Sequence, residues 1–152
     1  MAYTTIDNPF KYFNTVLYSG TGSSNAVTGV GFQPDWVWGK QRSGTNSHEL
    51  YDAVRGVNKI IYSDLTDAEG TNSNGVSAFN ADGFTVAGNT SINLSGESIV
   101  AWNWLAGGTA SSNTDGSITS SVSANTTAGF SIVSYTGNGT DGATIGHGLD
   151  TA

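Results

Sequence analysis

The chain of 152 residues contains no cysteine. A disulfide framework and thiolate chemistry are therefore excluded, and stability has to come from packing or from assembly. Basic residues are almost as scarce: Lys11, Lys40, Arg42, Arg55 and Lys59 form no cluster, and the formal net charge is −7. That balance repels a phosphate backbone, so nucleic acid is a poor candidate partner. No window approaches the roughly 18 apolar residues of a membrane span, and "MAYTTIDNPFKYFNT" lacks the basic segment and apolar core of a secretion signal. Membrane insertion is not expected, and synthesis in the cytoplasm is. With 11% charged residues and only 2 prolines, the Ala/Glu/Lys/Leu richness of helical proteins is missing as well.

What the chain does have is glycine, 21 residues of it, set among many serines, threonines and asparagines. This composition favours short strands joined by turns, and an all-β fold is expected. A hydrophobic content of 37%, including 4 Trp, 6 Phe and 6 Tyr, is enough to repay the ordering of the chain. Sequons at Asn89, Asn93, Asn125 and Asn138 read as products of this composition rather than as glycosylation sites.

Alternating patterns place the strands. One runs from about Phe13 to Tyr18, and another from Asp35 to about Lys40, where Trp36 and Trp38 share one face and Val37 and Gly39 the other. "HELYDAVRGVNKIIYSD" mixes helical and extended periods and reads as irregular or strand-rich. "FNADGFTV" reads as a hairpin turning at Ala81-Asp82-Gly83. In "ESIVAWNWLAGG" the residues Val100, Trp102 and Trp104 lie on one face, opposite Ile99, Ala101 and Asn103. From Gly107 to Gly129 only Ile118 and Val122 are large and apolar, which predicts a polar connector with one short strand. The expected organisation is a β-sandwich over residues 1–107, a connector over 108–129 and a C-terminal extension over 130–152.

That extension repeats the beginning of the chain. "VLYSGTGSSNAVTGVGF" near the start and "IVSYTGNGTDGATIGHGL" at the end align so that Phe13 matches Phe130, Tyr18 matches Tyr135, Gly20 matches Gly137 and Gly22 matches Gly139. Gly29 and Gly146, then Gly31 and Gly148, continue the series at one constant offset of 117 residues, the distance from Tyr18 to Tyr135. A fixed offset over an aromatic and glycine frame marks a true repeat. The tail is thus the first strand and loop of a second unit, and its strand, carrying Phe130, Ile132, Val133 and Tyr135, needs a partner for its backbone groups. Three outcomes are open: it pairs within its own domain, it is given to a neighbouring subunit, or the natural chain runs further.

The blocks "GFQPDWVWGKQR", "HELYDAVRG", "FNADGFTV" and "SIVAWNWLAGG", followed by "NTDGSITSSVSANTTAGFSIVSYTGNGTDGATIGHGL", resemble an uncharacterised repeat domain of tail-fibre-like and appendage virion proteins of marine bacteriophages. The opening "AYTTIDNPFKYFNT" is similar to the start of such proteins. The resemblance implies a sandwich of concanavalin-like or jelly-roll type and a role as a particle component. It supplies no catalytic or binding residues. Gly39 stands where that family usually has a β-branched residue, Ile99 where it often has Tyr, and Leu105 where it often has Lys.

Candidate chemistry is sparse. The indole pairs Trp36/Trp38 and Trp102/Trp104 are expected to fill the space between two sheets, and the alternative is a stacking platform for a cell-surface glycan. His48, Glu49 and Asp52 are neighbours, yet the pattern is uninformative and the other histidine, His147, is remote in sequence. Asp52 and Arg55 read as an ion pair that pins a loop. Asp64, Asp67, Glu69 and the "NADG" and "NTDG" turns could supply oxygen ligands to calcium, but they lack a regular ligand order. No nucleophile elbow, phosphate loop or HExxH motif is present, and no cofactor or catalytic activity is expected.

The functional expectation is a structural virion protein, located in the phage particle and acting through strand-mediated assembly with itself and other virion proteins. A closed cyclic oligomer is expected, most simply a trimer for a fibre. Host-glycan recognition and capsid decoration are the alternatives.

Overall fold

The computed structural model describes residues 6–88 and 91–149. Asn89, in one of the sequons, and residues 150–152 of the expected extension lie outside that range. A 3-10 turn, Pro9–Lys11, leads into the first strand and is capped by the Asn8 side chain, which accepts from the Phe10 amide. Twelve strands follow among the described residues: β1 Phe13–Ser19, β2 Asn25–Thr28, β3 Trp36–Gln41, β4 Glu49–Asp52, β5 Lys59–Tyr62, β6 Gly70–Thr71, β7 Val76–Asn80, β8 Gly83–Val86, β9 Ser98–Trp104, β10 Ser111–Asn113, β11 Ser120–Asn125 and β12 Phe130–Tyr135. The all-β expectation holds.

Two sheets form a sandwich. One has the order β1-β9-β3-β4-β5-β6 and the other β2-β8-β7. Val37, Tyr51, Ile60, Ile99 and Ala101 from the first meet Val27, Val76, Phe84 and Val86 from the second, with Ile92 wedged in from the segment before β9. Alternation dictates these choices, because each strand can send only every second side chain inward.

The expected hairpin is β7–β8, with Asn80 opposite Gly83. "HELYDAVRGVNKIIYSD" forms β4 and β5, paired through Glu49 with Tyr62 and Leu50 with Ile61. Between them Asp52 folds the turn: its Oδ1 accepts from the Val54 and Arg55 amides and its Oδ2 from the Arg55 side chain. The loop-pinning ion pair read from the sequence is therefore present.

The stretch 108–129 differs from expectation, since it carries two strands. β10 and β11 join β12 in a third sheet of order β10-β11-β12. Ser111, Ser112, Ser120 and Ser121 give these strands little apolar periodicity, although Ser120, Val122 and Ser123 of β11 are buried. Their anchor is Asp35, a buried carboxylate whose Oδ2 accepts from the Ala106 amide at 2.8 Å and the Gly108 amide at 3.2 Å. Ser123 adds two bonds, accepting from Gly107 and donating to the Gly108 carbonyl.

Candidate functional site

The four indoles are not in the space between the two sandwich sheets. Trp36 lies opposite Trp104 and Trp38 opposite Trp102 in the β3–β9 ladder, all four half-buried on the outer face of the six-stranded sheet. The inner face of β3 carries Val37, Gly39 and Gln41, and that of β9 carries Ile99, Ala101 and Asn103. The expected pairing of the indoles on one face was correct, but the face was the other one. Gly39 shows why: a Cβ there would sit 2.8 Å from Ile92 Cγ2, so this interior leaves no room for a side chain at that position, let alone an indole.

The outer face is an aromatic field with two ends. At one end Phe13 packs on Trp104 at 4.8 Å and Phe130 of β12 stacks on the same indole at 6.0 Å, so two repeat-related phenyl rings share one partner. At the other end Trp38 meets Trp102 edge-on at 5.7 Å, and Trp38 Nε1 donates to His48 Nδ1 at 2.9 Å. Leu17, 64% exposed, and Thr15 border this second end on β1. A groove of about 300 Å³ between β12 and the sheet is lined by Trp36, Ile61, Asp52 and Arg55 opposite Phe130 to Ser134.

Strand parity also separates Glu49 from His48 and Asp52, a trio that the sequence left uninformative. Glu49 points inward and accepts from the Tyr51 hydroxyl at 2.9 Å, whereas Asp52 is committed to the turn on the other side. Burial pushes the Tyr51 and Tyr18 phenols far up, and the Glu49 charge adds to both shifts. His147 Nδ1 accepts from the Leu149 amide.

The candidate calcium ligands are likewise engaged. Asp82 of "NADG" accepts from the Gly31 amide at 2.6 Å and the Gly29 amide at 3.1 Å, which hold its carboxyl below the usual range. Asp115 of "NTDG" accepts from Asn113, Asp64 accepts from the His48 amide, and Glu69 pairs with Arg55. Asp67 is exposed. Among the described residues no group of three or more His, Cys, Asp or Glu side chains converges as a metal site.

β12 has an in-chain partner. It pairs with β11 through six residue pairs, from Asn125 opposite Phe130 to Ser120 opposite Tyr135. Among the described residues its other side is an open edge: β12 ends the sheet order, and Tyr135 is 54% exposed. Ile132 is buried, and Val133 is half-buried.

Sequence reasoning missed Asp35 and Asn93. Pro34 directly before Asp35 was the only local mark, and nothing distinguishes Asn93 among so many asparagines. Asn93 is fully buried, accepts from the Thr21 amide and Asn25, and donates to the Ser23 and Ala87 carbonyls. Its side chain is committed to the core, which agrees with the reading that its sequon is compositional.

No helix among the described residues is long and apolar enough to cross a membrane. No curated protein and no solved structure matches the chain. A family model matches residues 8–152, and the chain belongs to that family, described as domain of unknown function DUF7483.

Proposed function

We propose that this chain is a structural component of a bacteriophage particle, of the tail-fibre or appendage class, and that it assembles through strand edges. One observation carries the reading: a repeat-derived strand, β12, is held in place by its own chain on one side and presents an open edge on the other. Main-chain groups on such an edge supply affinity, and alternate side chains supply register. The resemblance of the four sequence blocks to virion repeat domains supports the same assignment. Mass spectrometry of purified particles, with antibody labelling in electron micrographs, tests it: the chain is expected in stoichiometric amounts at the tail or its appendages. Its absence from particles would refute the reading, and a capsid location would replace it with the decoration alternative.

The second reading, glycan recognition, draws support from the outward position of the indoles. Trp38, Trp102 and His48 form a half-exposed aromatic patch of the kind that stacks on sugar rings. Glycan arrays with the intact protein are expected to lose any signal on Trp102→Ala. A signal unchanged by that substitution, or no signal at all, removes this reading.

A further inference from the structure

The two repeat-related strands differ in which side is occupied. In β1 the bonds Leu105 N–H to Tyr12 O and Gly20 N–H to Glu97 O bracket the ladder with β9. Backbone groups alternate sides along a strand, so Asn14, Val16 and Tyr18 face β9 while Phe13, Thr15 and Leu17 face away. In β12 the bond from Gly129 N–H to Asn125 O closes the hairpin turn on the pair Asn125–Phe130. Phe130, Ile132 and Ser134 therefore face β11, and Ser131, Val133 and Tyr135 face the open edge.

On the 117-residue frame, Ser131, Val133 and Tyr135 are the counterparts of Asn14, Val16 and Tyr18. The empty side of β12 is thus the side that, in β1, holds β9. The side chains follow the same rule. Val16 and Tyr18 pack against the sandwich core, Tyr18 edge-on to Phe84 and donating its hydroxyl to the Ile92 carbonyl, whereas Tyr135 is largely in solvent. Even the following turn is preserved: Gly22 and Gly139 have φ of 70° and 71°.

We propose that the open edge of β12 is a docking site for the β9-type strand of a second copy of this domain that has no β1 of its own and so leaves that side of β9 free, with β12 serving as that copy's first strand. The frame sets the register: Tyr135 opposite the incoming Ile99, Val133 opposite Ala101 and Ser131 opposite Asn103. Tyr135 then enters the core of the second sandwich in the place of Tyr18. A generic strand would cover the edge but leave Tyr135 in water. This inference rests on the assembly reading and names the partner.

The test is an extended chain in which Gly148, the counterpart of Gly31, is followed by a second copy of residues 32–129. That copy has no β1 of its own. Residue-resolved hydrogen exchange is expected to show its sandwich folded, with the amides of Ser131, Val133 and Tyr135 slowed roughly 100-fold or more relative to the original chain. Val133→Pro should leave the original chain folded, since that amide plays no part in the β11 ladder, and should unfold only the added copy of the extended chain. Unchanged exchange at the three amides overturns the proposal, whether the added copy stays unfolded or folds without β12. A chain found in particles but failing this test would sink the inference alone.

Discussion

At the scale of single residues, the interior is specified by what is too small and by what is polar but spoken for. Gly39 leaves room for Ile92, which is fully buried between the sheets. Gly39→Val should destabilise the chain by about 1–3 kcal/mol in urea unfolding, as overpacked cores do. Adding Ile92→Ala should recover part of that loss if the two side chains compete for one space. A second prediction concerns alkali. Tyr18 and Tyr51 have an ordinary phenol value of 10.0, which burial and then Glu49 raise in the folded state. Above about pH 10 the unfolded chain releases these protons and the folded chain keeps them, so stability falls as pH rises, by up to about 1.4 kcal/mol per pH unit for each phenol. Unfolding curves between pH 9 and 11 should show this slope, and Tyr18→Phe should flatten it by one phenol's share. Retention of the full slope in that variant would assign the effect elsewhere.

At the scale of elements, parity decides what each strand does. A period of two told correctly that Trp36 joins Trp38 and that Trp102 joins Trp104, but periodicity names two faces without saying which is inside. Here the outer face holds the indoles, because Ile92, wedged between the sheets, approaches closely enough to require Gly39 at the centre of the inner face. The indoles then stabilise by pairing across strands. Trp38→Leu and Trp102→Leu, singly and together, should reveal a coupling of roughly 0.5–1.5 kcal/mol. Additive losses would mean that the 5.7 Å contact contributes nothing beyond burial. The hairpin at Ala81-Asp82 was legible because turn chemistry is local, as was the Asp52–Arg55 pin. Of β10 and β11 only one short strand was legible, because strands this rich in serine carry little apolar signal. Asp35, which ties them to the sandwich, acts on Ala106 and Gly108, about 70 residues further along the chain.

At the scale of the whole molecule, an aromatic stack and a buried carboxylate are among the contacts that join the sandwich to the small sheet. Phe130 on Trp104 and Asp35 on the Ala106 and Gly108 amides hold the repeat-derived strand beside the sheet it imitates. Asp35→Ala should leave the sandwich folded while weakening this attachment. In that variant, hydrogen exchange is expected to quicken across residues 111–135 and to stay unchanged at Val37 and Ile99. Equal acceleration in both places would show that the two parts unfold as one. The repeat itself was readable from six matched positions, and those positions also imply which side of β12 is left empty.

The central claim is that this side lacks a partner among the described residues of the single chain. Residue-resolved amide exchange of the dilute protein tests it most directly. The account predicts an alternation along β12, with Ile132 and Ser134 protected and Ser131, Val133 and Tyr135 exchanging near the rate of an open strand. Uniform protection of all five amides in a chain shown to be monomeric would contradict it.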